Sequence, residues 1–229
     1  MTGPTLSGST ADQATPDAAW WGTVTAVQAN FYRVRLDQPP TPTGPDSLLC
    51  VRRALLKKTG QQVAVGDRVA VVEPDWQGQR GAIAALGPRR SWLDRPPIAN
   101  VDQVLLVFAL AEPDLDPHQL SRFLVKAEST GLAVQLCLNK ADLVDEAQRE
   151  QWRSRLLAWG YEPILTNLAA PDSPGAIAAV ETLQPILVDR TTIIAGPSGA
   201  GKSSTINALI PAAGPVSYTH LRAHETVLD

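Results

Sequence analysis

The run Gly196-Pro197-Ser198-Gly199-Ala200-Gly201-Lys202-Ser203-Ser204 constrains the fold more than any other stretch. It has the spacing of a phosphate-binding loop, with TTIIA before it and the helix-forming KSSTINALI after it. Such a loop must leave a buried strand and enter a helix N-terminus, so that backbone N–H groups point at phosphate oxygens. The glycines permit that backbone and leave room for the oxygens. In this reading Lys202 bridges the β and γ phosphates as a point charge and is the catalytic cation. The Ser203 hydroxyl is a ligand for Mg2+. GPSGAGKSS also suits nucleotide kinases and transporter ATPases, so the loop alone does not choose the base.

The base is chosen by Asn139-Lys140-Ala141-Asp142, which follows the apolar run AVQLCL. Ligands of open α/β sheets bind at the carboxyl ends of strands. An ionised Asp142 is a pure acceptor with two oxygens. Guanine offers it two adjacent donors, N1–H and the 2-amino group. Adenine would leave it unpaired, which is heavily penalised. Asn139 can donate to the base and tie neighbouring loops, and the Lys140 stem can cover the ring face. The competing reading makes Asp142 a helix N-cap before LVDEAQ. The order is informative, because Asn139 precedes Gly196 by 57 residues. Small GTPases place the phosphate loop first, so this order predicts a circular permutation.

Around these motifs, apolar strands at 101–109, 133–138, 163–165 and 191–195 alternate with helical segments. The helical segments lie around Leu120–Ala127, at 146–159 and 174–183, and from Gly201 or Lys202 onward. That alternation predicts a parallel sheet with helices on both faces. The front of the chain reads differently. Five short strands, at 21–27, 31–36, 48–52, 68–72 and 81–86, are separated by Gly, Pro and Asp. With no strong helix, they predict a small barrel of the OB type, although SH3-like barrels read similarly.

Charge is unevenly spread. Residues 20–97 hold 11 Lys/Arg against 6 Asp/Glu, in a chain of net charge −3. A basic front can meet an anionic partner such as RNA. Arg52, Arg53, Lys57 and Lys58, with Trp20, Trp21, Phe31 and Tyr32, are the candidates for backbone charge and base stacking. The competing reading is a solvated surface over core aromatics. Cys50 and Cys137 are the only cysteines, without zinc spacing, and core roles are expected for both. No apolar run approaches the roughly 20 residues needed to cross a bilayer. A cytoplasmic monomer that does not engage membranes is expected. Residues 1–19 read as a disordered arm rather than a secretory signal.

The most specific segments are GTVTAVQANFYRVRL, VGDRV, RPPIANVDQVLLVFAL, LNKADLV and GPSGAGKSSTINALIP. Together they resemble the RsgA (YjeQ/EngC) family of circularly permuted GTPases. The resemblance implies an OB-fold barrel (20–90), a permuted α/β P-loop GTPase domain (91–217) and, beyond these, a zinc-binding domain. It implies GTP/GDP and Mg2+ as ligands, with Zn2+ in the full-length family. It also implies the small ribosomal subunit and its rRNA as partners, and GTP hydrolysis as a late maturation check. The family's base-reading motif falls on Asn139, Lys140 and Asp142, and its phosphate loop on Gly196 to Ser204.

Two departures accompany the resemblance. Ile164-Leu165-Thr166-Asn167-Leu168 stands where a Ser-Ala motif backs the base, so no site residue is expected there. After Ser217 the chain reads YTHLRAHETVLD, where a second switch and a Cys/His cluster would follow. That tail (218–229) resembles translated adapter sequence, and His220 and His224 without cysteines make an incomplete zinc set. The expectation is an incomplete GTPase domain that binds GTP weakly and hydrolyses it negligibly.

Overall fold

The computed structural model describes residues 19–42, 44–58, 60–168 and 173–210. The expected arm, apart from Ala19, and the tail with His220 and His224 lie outside the described residues. The chain divides into two compact units, Met1–Asn100 and Val101–Asp229.

In the first unit, β1 (Trp20–Gln28), β2 (Phe31–Leu36), β3 (Ser47–Arg52), β4 (Arg68–Asp75) and β5 (Arg80–Leu86) form a closed barrel in the order β1-β2-β3-β5-β4. β1 closes antiparallel on β4, and only β3 and β5 pair in parallel. This is the OB-fold barrel. The strands form because their sequences alternate. In β2, Tyr32, Val34 and Leu36 are buried while Phe31, Arg33 and Arg35 face out. Val24, Val34, Leu48, Val69, Val71 and Ile83 fill the interior.

Two elements escaped the sequence reading. A helix α1 (Ala54–Lys58) follows β3, and its five residues are too few to show helical periodicity. Tertiary burial of Leu56 in the barrel core holds it instead. A hairpin of β6 (Trp92–Asp94) and β7 (Pro97–Ala99) follows β5. It packs near a polar knot at the VGDR turn. Asp67 is fully buried and accepts from Ala64 N (2.8 Å) and from Arg89 Nε (2.7 Å). The Arg89 guanidinium lies 4.1 Å from the centre of the Trp92 ring. A buried carboxylate is tolerable only when paired in this way.

In the second unit, β8 (Gln103–Ala109), β9 (Ala133–Asn139), β10 (Pro163–Leu165) and β11 (Thr192–Ala195) form an all-parallel sheet in the order β10-β9-β8-β11. β8 is buried along its whole length, as a strand covered on both faces must be. Val104, Leu106 and Phe108 pack with Leu120, Leu124 and Leu156 on one face. These come from α2 (Pro117–Glu128) and α3 (Glu146–Ala158). Leu105 and Val107 pack with Leu183 and Ala200 on the other face. There lie α4 (Pro174–Leu187) and α5 (Lys202–Leu209), which pack together.

α4 runs through Pro185, past the end expected at Leu183. Proline removes one intrahelical hydrogen bond and crowds the carbonyl four residues back, so other contacts must hold this last turn. Leu187 joins the core below that turn, and buried Gln103 donates Nε2 to Ile186 O (2.9 Å).

Candidate functional site

All four strands run the same way, so the loops after β8, β9, β10 and β11 emerge at one edge of the sheet. They enclose a cleft of about 600 Å³. One wall is the loop from Gly196 to Gly201 with the start of α5, and the other is Asn139, Lys140 and Asp142. Two motifs 57 residues apart in sequence therefore line one cavity.

The phosphate loop holds its shape because two positions admit only glycine. Gly196 has φ +146°, and a Cβ there would sit 2.0 Å from Val107 O. Gly201 has φ +98°, and a Cβ there would sit 2.0 Å from Asn139 Nδ2. Gly201 also starts α5, whose first N–H groups have no intrahelical partner. Lys202 Nζ donates to Gly196 O (2.8 Å) and Pro197 O (2.7 Å), which holds the ammonium inside the loop. Burial holds its pKa below the usual lysine value. Ser203 is exposed at the cleft, and Ser204 and Ser198 line it as well. Ala200 is fully buried and anchors the loop.

Asn139 ties the two walls together. Its Nδ2 donates to Ala200 O (3.2 Å), across 61 residues of sequence. Its Oδ1 accepts from Thr166 Oγ1 (3.2 Å) and from Leu168 N (3.3 Å). A carbonyl partner on one side and donors on the other fix which way the amide points. Lys140 takes a left-handed conformation (φ +59°), and its Nζ bonds Glu112 O on the loop after β8. Asp142 sits in a single 3-10 turn, Ala141–Leu143, exposed to the cleft. Among the described residues no side-chain bond engages its carboxylate. The capping alternative for Asp142 is excluded. α3 is capped by Asp145, whose carboxylate accepts from Gln148 N (2.8 Å).

Thr166 escaped the sequence reading, which expected nothing from the segment after β10. It is buried, and its backbone O accepts from Ala141 N (3.1 Å). Because its hydroxyl proton goes to Asn139, the neighbouring Cys137 thiol at 3.2 Å must be the donor to Thr166 Oγ1. Burial pushes that thiol up to about 11, so it stays protonated for the role. Its position at the carboxyl end of a strand was the available signal. Thr166→Val is expected to weaken GDP binding about fivefold, the loss of one net hydrogen bond of about 1 kcal/mol. Thr166→Ser should restore it. Calorimetry giving equal affinities for all three proteins would remove Thr166 from the site.

A nucleotide with Mg2+ fits these residues. Mg2+ is commonly held by one or two protein oxygens plus phosphates, and Ser203 Oγ is exposed at the start of α5 to provide one. Among the described residues no three His, Cys, Asp or Glu side chains cluster as a metal site, so no donor set for zinc is found there. Likewise, no helix among them is long and apolar enough to cross a membrane.

Residues 86–225 match the family model described as RsgA GTPase. The small ribosomal subunit biogenesis GTPase RsgA of Trichormus variabilis is 55% identical over 208 residues, covering 83% of this chain and 55% of that protein. The mitochondrial RsgA 1 of Arabidopsis thaliana is 45% identical over 199 residues, covering 82% and 44%. The crystal structure of YjeQ from Thermotoga maritima superposes with TM-score 0.71 at 31% identity, covering 85% of this chain and 66% of that one. YloQ, titled a circularly permuted GTPase, gives 0.68 at 27% identity, covering 87% and 67%. The chain spans about half the length of the curated relatives it matches. With the family model matching more than half of its residues, the chain belongs to the RsgA GTPase family.

Proposed function

We propose that this chain binds GTP and GDP with Mg2+ as the nucleotide-recognising part of a GTP-hydrolysing factor that matures the small ribosomal subunit. The observation that carries the reading is the Asn139–Ala200 bond, which holds the Asn139–Asp142 turn against the phosphate loop around one cleft. Neither motif alone separates a GTPase from a nucleotide kinase, but this pairing favours guanine. Asp142 presents two free acceptor oxygens to the N1–H and 2-amino donors. Asn139 keeps the turn in register with the loop, and the Lys140 stem covers the base.

At the other end of the cleft, loop and α5 N–H groups receive the phosphate oxygens. Lys202 is preplaced by two carbonyls and donates to the β and γ phosphates as charge develops on them. Mg2+, when bound, supplies further charge neutralisation, held through Ser203. The names of the relatives, small ribosomal subunit biogenesis GTPases, support the small ribosomal subunit as the partner of this reaction. The basic barrel is the part suited to its rRNA.

The test is displacement of a fluorescent GTP analogue. GDP should compete at least about a hundredfold better than ADP, given what unpaired buried acceptors cost. Equal competition by ADP would favour the kinase reading.

A further inference from the structure

We propose that the corner Glu112-Pro113, in the loop after β8, is a positioning element for the guanine base. Its Glu112 carbonyl anchors the Lys140 ammonium and so holds the lysine stem flat over the ring. This rests on the reading that Lys140 covers the base, and it names what keeps the stem in place.

The loop is fixed on both sides of the corner. Leu110 N donates to Asn139 O (3.0 Å), which extends the β8–β9 pairing into the loop. Leu115 is buried in the core with Leu120 and Leu138. Asp116 then caps α2 by accepting from His118 N (2.9 Å). Between these anchors Glu112 takes a left-handed backbone conformation (φ +50°), and so does Lys140 (φ +59°). Side chains of this kind seldom adopt that region, and the conformation persists only where its surroundings hold it. The two left-handed residues are joined directly, Lys140 Nζ donating to Glu112 O. Proline at 113 narrows the backbone choices of both corner residues, so the carbonyl keeps its direction.

The corner also rests on the opposite wall. A Cβ added at Gly199 would sit 3.2 Å from Pro113 Cδ, so the proline ring lies against the phosphate loop. Glu112, Lys140 and Gly199 all line the nucleotide cleft. Besides the buried Asn139–Ala200 bond, the walls are therefore joined by a more exposed run, Lys140–Glu112–Pro113–Gly199.

The anchor matters because of what a lysine is. Its stem is flexible and loses much freedom when held against a ligand. Fixing the ammonium on a carbonyl imposes that order in the folded protein rather than at the moment of binding. The anchoring atom is a backbone oxygen, so the Glu112 carboxylate is not needed for the role.

The test is a double-mutant cycle on the full chain, read by displacement of a fluorescent GDP analogue. Lys140→Met keeps an apolar stem and removes the anchored ammonium, and should weaken GDP binding about fivefold. Pro113→Gly frees the corner and should also cost about fivefold. Pro113→Ala takes its place if the glycine variant does not fold. Because the corner acts through Lys140, the double variant should lose no more than about fivefold, where independent effects would multiply to about twenty-five. Glu112→Gly keeps the carbonyl and suits the left-handed backbone, so its GDP affinity should stay within about twofold of the parent. Melting curves report whether each variant is folded at the binding temperature. Losses that multiply, or parent-like affinity in both single variants, overturn the proposal. So does a tenfold or greater loss in Glu112→Gly, about the scale of a lost contact to a charged group, which assigns the role to the carboxylate. If the parent protein binds ADP as well as GDP, the guanine reading falls and the corner falls with it. A GDP preference with multiplying losses removes the corner alone.

Discussion

Asp142→Asn is expected to reverse the base preference of the cleft without changing the stability of the chain. The carboxylate is exposed, and among the described residues no side-chain bond engages it, so its replacement by the isosteric amide leaves the fold untouched. The nucleotide sees a different group. Asn presents one acceptor and one donor where Asp presents two acceptors. Guanine then meets a donor with its 2-amino donor and loses charge-assisted bonds worth about 1.5–3 kcal/mol each. GDP affinity should fall at least about a hundredfold. Xanthine, which carries a carbonyl at that position, regains the match, so XDP should bind the variant more tightly than GDP does. Competition against a fluorescent nucleotide decides it. Unchanged GDP affinity with no gain for XDP would falsify the base-reading role of Asp142. An unchanged melting curve separates this outcome from misfolding.

Gly201→Ala should be the most damaging single methyl group in the cleft. Its backbone sits at φ +98°, where a non-glycine residue costs about 1–2 kcal/mol. The added Cβ would also lie 2.0 Å from Asn139 Nδ2. Asn139 cannot yield cheaply, because its amide is held by Ala200 O, Thr166 Oγ1 and Leu168 N. Displacing it breaks bonds of about 1 kcal/mol each and separates the base turn from the phosphate loop. Strain and lost bonds together reach about 3 kcal/mol or more, so GDP affinity should drop about a hundredfold or beyond. The control is Gly131→Ala, at φ +70° with no atom near its Cβ, which carries the backbone strain without the collision. If both variants bind GDP like the parent protein, the close packing of Gly201 on Asn139 does not govern the site.

Much of the second unit was legible in advance. Continuous apolar runs became the buried parallel strands, because a strand covered on both faces has no polar side to show. The P-loop spacing was legible because it encodes a local backbone path. The barrel was legible as alternating strands, whereas α1 was not. Its five residues carry no periodicity, and only burial of Leu56 holds them. The RNA candidates were only partly legible, since composition counts cations and aromatics without saying which are already engaged. Arg53 and Tyr32 are engaged by Glu73 and the core, while Arg33 and Phe31 face outward on β2.

By itself the sequence determined the permuted order, with Asn139–Asp142 ahead of Gly196–Ser204, and the strand–loop–helix that each motif requires. These are short-range properties, written in spacing and in glycines at strained φ. Tertiary structure alone decided that Asp145, not Asp142, caps α3, and that Thr166 belongs to the site. It also decided that Asn139 reaches across 61 residues to Ala200. The physical reason is the parallel register of β8 to β11. It brings four loops, distant in sequence, to one edge, and which side chains meet there depends on that register rather than on any local pattern.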